Sequence, residues 1–333
     1  MLQPIKTIGW SEIMLNLSII IPHYNTPHLL KKLLDTIPIR DDIQVIVVDD
    51  NSNKQVKSYH QLRKQYTHVC FLSNDTGKNS PGICRNIGLG FAKGHWILFA
   101  DADDYFTDNF YDVVNDYFDN DFDIVFFPPT SIDFETGLIS NRHITYKGLV
   151  AQYLKSGDRK GELGLKYNFH SVWSKLISLD FVNRNNIDFT GTGYGDDTLF
   201  SMELGSHADK ITASDNIIYV ITKQKGTLTT TNSEDIALKR MEILITRYKY
   251  LKMNLSKNDF NLLEPCLGGI VVDAIYKRYP MKLIIRMFCI LKKEKVRMIR
   301  KSWFNPAYIL RKIRTYDRKY DRYYYPSNSH TSE

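Results

Sequence analysis

Three short runs that are apolar almost throughout constrain this chain more than any other feature: LSIIIP at 17–22, QVIVVD at 44–49 and WILFA at 96–100. Each is too short for a buried helix and rich in β-branched or aromatic residues, so each reads as a strand. Weaker strands are expected at 68–73 and 123–127. Helical spacing fills the gaps, at 28–37 (HLLKKLLDTI), 56–66, 80–93 and 108–118. Ser80 and Pro81 suit the cap and first turn of the third helix, and Gly94 is expected to stop it. Strands without a polar face, alternating with helices, predict an α/β architecture: a mostly parallel sheet covered on both faces.

From about Ser131 the rhythm changes. A hairpin is expected around Thr136-Gly137, helices at 147–156, 178–185 and 196–205, and a late strand at 217–222. Beyond Glu234 the pattern is helical. The expected organisation is a leader over 1–16, a main body over 17–232 with halves meeting near 130, a helical region over 233–325 and a disordered end at 326–333.

Composition narrows the setting. Cys70, Cys84, Cys266 and Cys289 are scattered, with no pair spaced as a metal clip or redox motif, which fits reduced thiols in a cytoplasm. The apolar run at 17–21 is shorter than the core of a secretory signal. No stretch approaches the roughly 20 apolar residues of a spanning helix. The net charge of +7 is unevenly placed: 16 Lys and Arg but only three acids lie between Lys277 and Arg322, so the remainder is acidic. Within 281–301, Lys282, Arg286, Lys293, Arg297 and Arg300 fall on one helical face, with Ile284, Met287, Leu291 and Met298 roughly opposite. Such a segment suits an anionic membrane surface, with tyrosines from Tyr308 onward at headgroup level. Residues 277–325 therefore suit either contact with the inner face of the cell membrane or a solvated basic helix packed on the body. An acidic body argues against nucleic acid as a partner.

In open α/β sheets, ligands bind beyond the carboxyl ends of the strands. Here those ends carry Pro22-His23-Tyr24-Asn25, Asp49-Asp50-Asn51-Ser52 and Asp101-Ala102-Asp103-Asp104. Carboxylates gathered at one rim repel one another unless a cation or ligand relieves them. Mg²⁺ or Mn²⁺ takes one or two protein carboxylates and completes its shell with phosphates and water, which Asp103 beside Asp101 and Asp104 would suit. No G-x-G-x-x-G follows the first strand and no G-x-x-x-x-G-K-[ST] occurs, so dinucleotide redox chemistry and P-loop phosphoryl transfer lose ground.

Taken in order, IIIPHYN, VVDDNS, ICRNIGLGFAKG and LFADADD resemble the motifs of the family 2 glycosyltransferases of the GT-A fold. The resemblance is strong over 17–108, weakens through 109–165, and returns at HSVWSKL (170–176) and GDDTLF (195–200). It reaches the loop Gly226–Thr230 faintly. It implies an inverting transfer of sugar from a nucleotide diphosphate, with UDP favoured, to a saccharide or lipid-linked hydroxyl in bacterial surface-polysaccharide synthesis. Pro22, Tyr24 and Asn25 would border the base and ribose, and Asp50 would accept from the base imino group. Arg85 would sit near the diphosphate, and Asp101 with Ala102 near ribose or sugar. Asp103 would be the principal Mn²⁺ or Mg²⁺ contact, with Asp101 and Asp104 assisting. The family's Glu-Asp pair appears as Asp196-Asp197, so the first position departs while the second matches. Asp197 would be the general base, and Asp196 and Trp173 would border the acceptor, Trp173 equally fitting a core.

Two other readings share parts of this pattern. A nucleotidyltransferase also uses strand-end aspartates, but IPHYNTPHLL lacks the glycine-rich basic loop it needs. A non-catalytic sugar-nucleotide-binding protein would keep the fold without a reason to keep Asp101, Asp103 and Asp197 together.

Overall fold

The computed structural model describes residues 15–192, 195–223 and 233–305. The leader up to residue 14, Gly226–Thr230, the tyrosines from Tyr308 onward and the end at 326–333 lie outside the described residues. The chain divides into two compact units, with the division at Thr230–Thr231.

The first unit opens with β1 (Leu17–His23), α1 (Pro27–Leu34), β2 (Ile43–Asp49), α2 (Val56–Gln65), β3 (Val69–Ser73), α3 (Pro81–Phe91) and β4 (Trp96–Phe99). Apolar side chains along β1, β2 and β4 are buried on both faces, which is why these strands read as unbroken runs. α1 presents Leu29, Leu30, Leu33 and Leu34 inward, the spacing of one helical face. Ser80 caps α3, its Oγ accepting from the Gly82 N–H at 3.1 Å, with Pro81 in the first turn. Gly94 does not stop this helix, which ends at Phe91. A Cβ at Gly94 would lie 2.5 Å from the Leu17 backbone, so this glycine admits a close crossing of β1 instead.

The unit continues with β5 (Tyr105–Phe106), α4 (Phe110–Asn115), β6 (Ile124–Phe126), β7 (Thr130–Asp133), α5 (Ile144–Ser156), α6 (Arg159–Asn168) and β8 (Lys175–Ser178). It closes with α7 (Leu179–Arg184), α8 (Asp196–His207), β9 (Ile211–Ala213) and β10 (Tyr219–Lys223). The main sheet has the order β3-β2-β1-β4-β8-β6-β9, and the smaller one β5-β10-β7. All pairings in the main sheet are parallel except those of β8, which runs antiparallel to both β4 and β6. The expected hairpin is present: Gly137 has φ +68° and Ile132 bridges Ile139. The strand order reverses between β1 and β4, where an open α/β sheet forms its ligand crevice. His23 lies opposite Asp49, and the Ala100 N–H bonds to the Ile20 carbonyl. Three polar strand ends therefore meet at one edge.

The second unit contains α9 (Glu234–Asn254), α10 (Lys257–Leu263), α11 (Gly268–Tyr276) and α12 (Met281–Lys293). Its own core gathers Met241, Ile245, Tyr248, Leu283, Ile284, Met287 and Leu291. The amphipathic reading of 281–301 needs correction here. α12 ends at Lys293, so Arg297 and Arg300 are not on its face, and Ile284, Met287 and Leu291 pack inside this unit. The apolar side chains left exposed on α12 are Met281, Ile285 and Phe288. No helix among the described residues is long and apolar enough to cross a membrane.

Candidate functional site

Asp101, Asp103 and Asp104 follow β4 in a tight turn closed by the Asp104 N–H on the Asp101 carbonyl at 3.0 Å. One oxygen from each carboxylate lies within 4.8 Å of the other two. Burial, and then the charge of Asp101, pushes Asp103 up to about 6, while Arg142 works the other way. Burial and the charges of Asp103 and Asp101 raise Asp104 well above the usual carboxylate range. Three carboxylates gathered this closely fit a divalent cation, whose charge would remove the repulsion. They are not equivalent. Asp104 is buried and accepts from the Thr222 N–H at 2.7 Å, so it anchors β10 as well as completing the cluster.

Arg85 links this rim to the other side of the cleft. One Nη donates to Asp101 at 2.6 Å and the other to Asp197 at 2.7 Å. The guanidinium is buried, with its Nε unpaired, and stands over the Phe189 ring. Asp197 lies in the first turn of α8, which starts after Gly195 at φ +73°, a conformation that favours glycine. The Asp197 side chain keeps 38% of its surface open, so a substrate can reach it. The enclosing walls raise its pKa, Arg85 opposes that rise, and Asp101 and Asp196 add to it. A carboxylate so placed is a stronger base than one in water, yet remains paired with a cation.

Asp196 turns the other way. Its Oδ1 accepts from Thr190 Oγ1 at 2.6 Å and from Thr192 N at 3.0 Å, and its Oδ2 from Ser80 Oγ at 3.1 Å. A Cβ at Gly82 would meet Asp196 Oδ2 at 2.5 Å. The structure thus corrects the expectation of an acceptor contact: Asp196 is a buried latch between the 190–192 loop and α3. Trp173 is corrected likewise, being only 5% exposed, stacked on Tyr219 and edge-on to Tyr146. Its rings are core.

At the β1 and β2 ends, Asp50 is buried and accepts from Asn74 Nδ2 at 2.6 Å. Tyr24 is half exposed. Asn25, at φ +57°, uses its Oδ1 to accept from the N–H groups of Asn53 and Lys54, tying two loops together. Pro22 is paired in β1 opposite Val48, and Ala102 is buried in the acidic turn. His23 Nδ1 bonds Asp49 at 2.7 Å, and bonds from His23 and Ser52 hold Asp49 below the usual range despite burial. Sequence reading missed Arg142, Lys175, Asn74 and Tyr219, whose hydroxyl accepts from the Asp101 N–H at 2.9 Å. Lys175 lies inside HSVWSKL (170–176), but the resemblance gives it no role there, and Arg142, Asn74 and Tyr219 fall in none of the runs that carry the resemblance.

The mostly parallel central sheet with flanking helices that carries this cleft is the GT-A fold. Crystal structures of Staphylococcus aureus TarS 1–349 with UDP-GlcNAc match at a TM-score of 0.61 and 19% identity, covering 82% of this chain and 79% of that one. A Pyrobaculum calidifontis mannosyltransferase with GDP-Man and Mn²⁺ matches at 0.53 and 12% identity, covering 96% and 90%.

Residues 18–179 match the sequence model for glycosyl transferase family 2, and this domain belongs to that family. Curated relatives include a Bacillus spizizenii poly(ribitol-phosphate) β-glucosyltransferase, 36% identical over 27% of this chain and 15% of the relative. Another is a Campylobacter jejuni GalNAc(5)-diNAcBac-PP-undecaprenol β-1,3-glucosyltransferase, 37% identical over 26% and 29%. The matched stretches thus span under a third of those relatives.

Proposed function

We propose that this chain is an inverting glycosyltransferase that transfers a sugar from a UDP-sugar to a saccharide or lipid-linked hydroxyl in bacterial surface-polysaccharide synthesis. The observation that carries it is the Asp101–Arg85–Asp197 bridge, which puts the acidic rim and the candidate base in one cleft. The relatives' acceptors, poly(ribitol-phosphate) and an undecaprenol-linked glycan, support the acceptor class. UDP-GlcNAc in a neighbour of the same fold supports the donor class.

Tyr24 would cover the uracil face, and Asp50, oriented by Asn74, would accept its imino proton. Asp103 and Asp101, with Asp104 behind them, would hold Mn²⁺ or Mg²⁺, which as a Lewis acid would take up the charge of the departing diphosphate. Asp197 would remove the acceptor hydroxyl proton from the face opposite the diphosphate, so the anomeric configuration inverts. Arg85 holds Asp197 in place and balances its charge before the proton arrives.

A thermal-shift screen of UDP-sugars with and without Mn²⁺ tests the reading. Stabilisation by a UDP-sugar that needs the metal is expected, and no response to any UDP-sugar under either condition would overturn it.

A membrane-surface role is supported by the exposed Met281, Ile285 and Phe288 on α12, flanked by Lys282, Arg286, Lys292 and Lys293. A cytoplasmic enzyme docked on the inner leaflet would sit beside lipid-linked acceptors. Binding to phosphatidylglycerol vesicles that survives replacement of those three apolar residues by serine would refute it.

A further inference from the structure

Lys175 is 1% exposed, an unusual place for an ammonium, and the proposed reaction does not use it. Its Nζ donates to the Phe169 carbonyl at 2.8 Å and to Ser201 Oγ at 3.0 Å. The Ser201 hydroxyl in turn reaches the carbonyls of His170 at 3.1 Å and Ser171 at 3.2 Å. The rings of Phe126 and Phe169 enclose the rest of the head group, at 5.5 and 5.1 Å from Nζ. Ser201 stands one turn beyond Asp197 on α8, and residues four apart share a helix face. The turn before β8 is therefore fastened to the same face of α8 that presents the carboxylate.

We propose that Lys175 is a positioning residue for Asp197: through Ser201 it clamps the 169–171 turn to α8 and fixes where the carboxylate stands. The proposal rests on Asp197 being the base. A methionine would fill the same space with no need for buried bonds, so a role in packing alone gives no reason for a hydrogen-bonding head group here. The groups bearing on Lys175 are the Asp197 charge from α8, the two rings, Ser201 and the Phe169 carbonyl; Arg85, Asp101 and Asp196 act on Asp197 in turn. Burial pushes Lys175 down to about 7 from its ordinary 10.5. The unfolded chain then binds more protons between those values, so this group makes stability rise with pH across that window.

Lys175→Met and Ser201→Ala test the clamp. In hydrogen–deuterium exchange, amides of the first turn of α8 are expected to exchange about tenfold faster in both variants, with the rest of the sheet unchanged. UDP release from the UDP-sugar that the wild type accepts is expected to lose about tenfold to a hundredfold in kcat, with KM unchanged. Lys175→Met is also expected to flatten the rise in stability above neutral pH. Unchanged exchange at α8 in the variants that fold overturns the proposal, as does a rise in KM at constant kcat. If Lys175→Met does not fold, Ser201→Ala decides. If the wild type turns over no UDP-sugar, the glycosyltransferase reading fails, and the exchange measurement still judges the clamp.

Discussion

Asp101 and Asp197 grip the two ends of one guanidinium, but they reach it by unlike routes. Asp101 follows β4, a strand held in register by parallel neighbours, and its position is set within a few residues of sequence. Asp197 stands at the head of α8, held by Asp196 to the adjoining 190–192 loop and to Ser80, 116 positions away in sequence. The rim half of the domain is thus built from local rules. The facing half is built from contacts between residues far apart in sequence, and its precision depends on buried polar bonds. In such a site, the rim should tolerate loss of a partner better than the facing half does.

The sharpest test is Asp197→Asn, which keeps the shape and the hydrogen-bonding partner but removes the basicity. Turnover is expected to fall by about 10² to 10⁴ while UDP still binds, measured by UDP release and by calorimetry. Equal turnover would break the contrast, since the facing half would then contribute only form. Arg85→Met follows. It strands two carboxylates whose side chains are 32% and 38% exposed, so solvent screens them and the loss is expected at about 1–3 kcal/mol, readable by denaturant unfolding. A loss below about 1 kcal/mol would mean that the two halves are held together elsewhere.

The smallest effect is the pH response of the rim. Asp103 is raised to about 6, so in the folded protein it holds its proton above the pH at which the unfolded chain releases it. Its contribution to stability therefore declines as pH rises from about 4 to about 6. Mn²⁺ requires the ionised form, so affinity should tighten by about tenfold per pH unit until Asp103 is ionised, measured by titration calorimetry. Asp103→Asn should reduce that slope, and the raised Asp104 carboxyl accounts for what remains.

The same division explains what could be read from sequence. β1, β2 and β4, the acidic turn, Ser80 as a cap and the position of Asp197 were all legible, because strand burial and strand-end polarity are local patterns. β8 was not: KLIS begins with a lysine, and only its fit between β4 and β6 makes it a strand. α6 escaped notice because its pattern, RKGELGLKYN, is polar and carries two glycines; Asp158 caps it by accepting from the Gly161 N–H at 2.7 Å. Asn25, Asp196 and Trp173 belong to motif positions, yet bonds and packing from distant segments occupy their polar groups or faces. A motif marks a place in the chain. Partners decide what stands there.

The reversed direction of β8 has a consequence for how such domains diversify. A strand that runs against its neighbours starts where they finish, since Lys175 pairs with Phe126 at the end of β6 and Ser178 with Trp96 at the start of β4. The stretch leading into β8, not the one leaving it, therefore faces the chemistry. That stretch is buried and its 169–171 turn is bonded to Lys175 and Ser201, so in the proposed reaction insertions just ahead of residue 175 would disturb the candidate base on α8 while leaving the nucleotide side untouched.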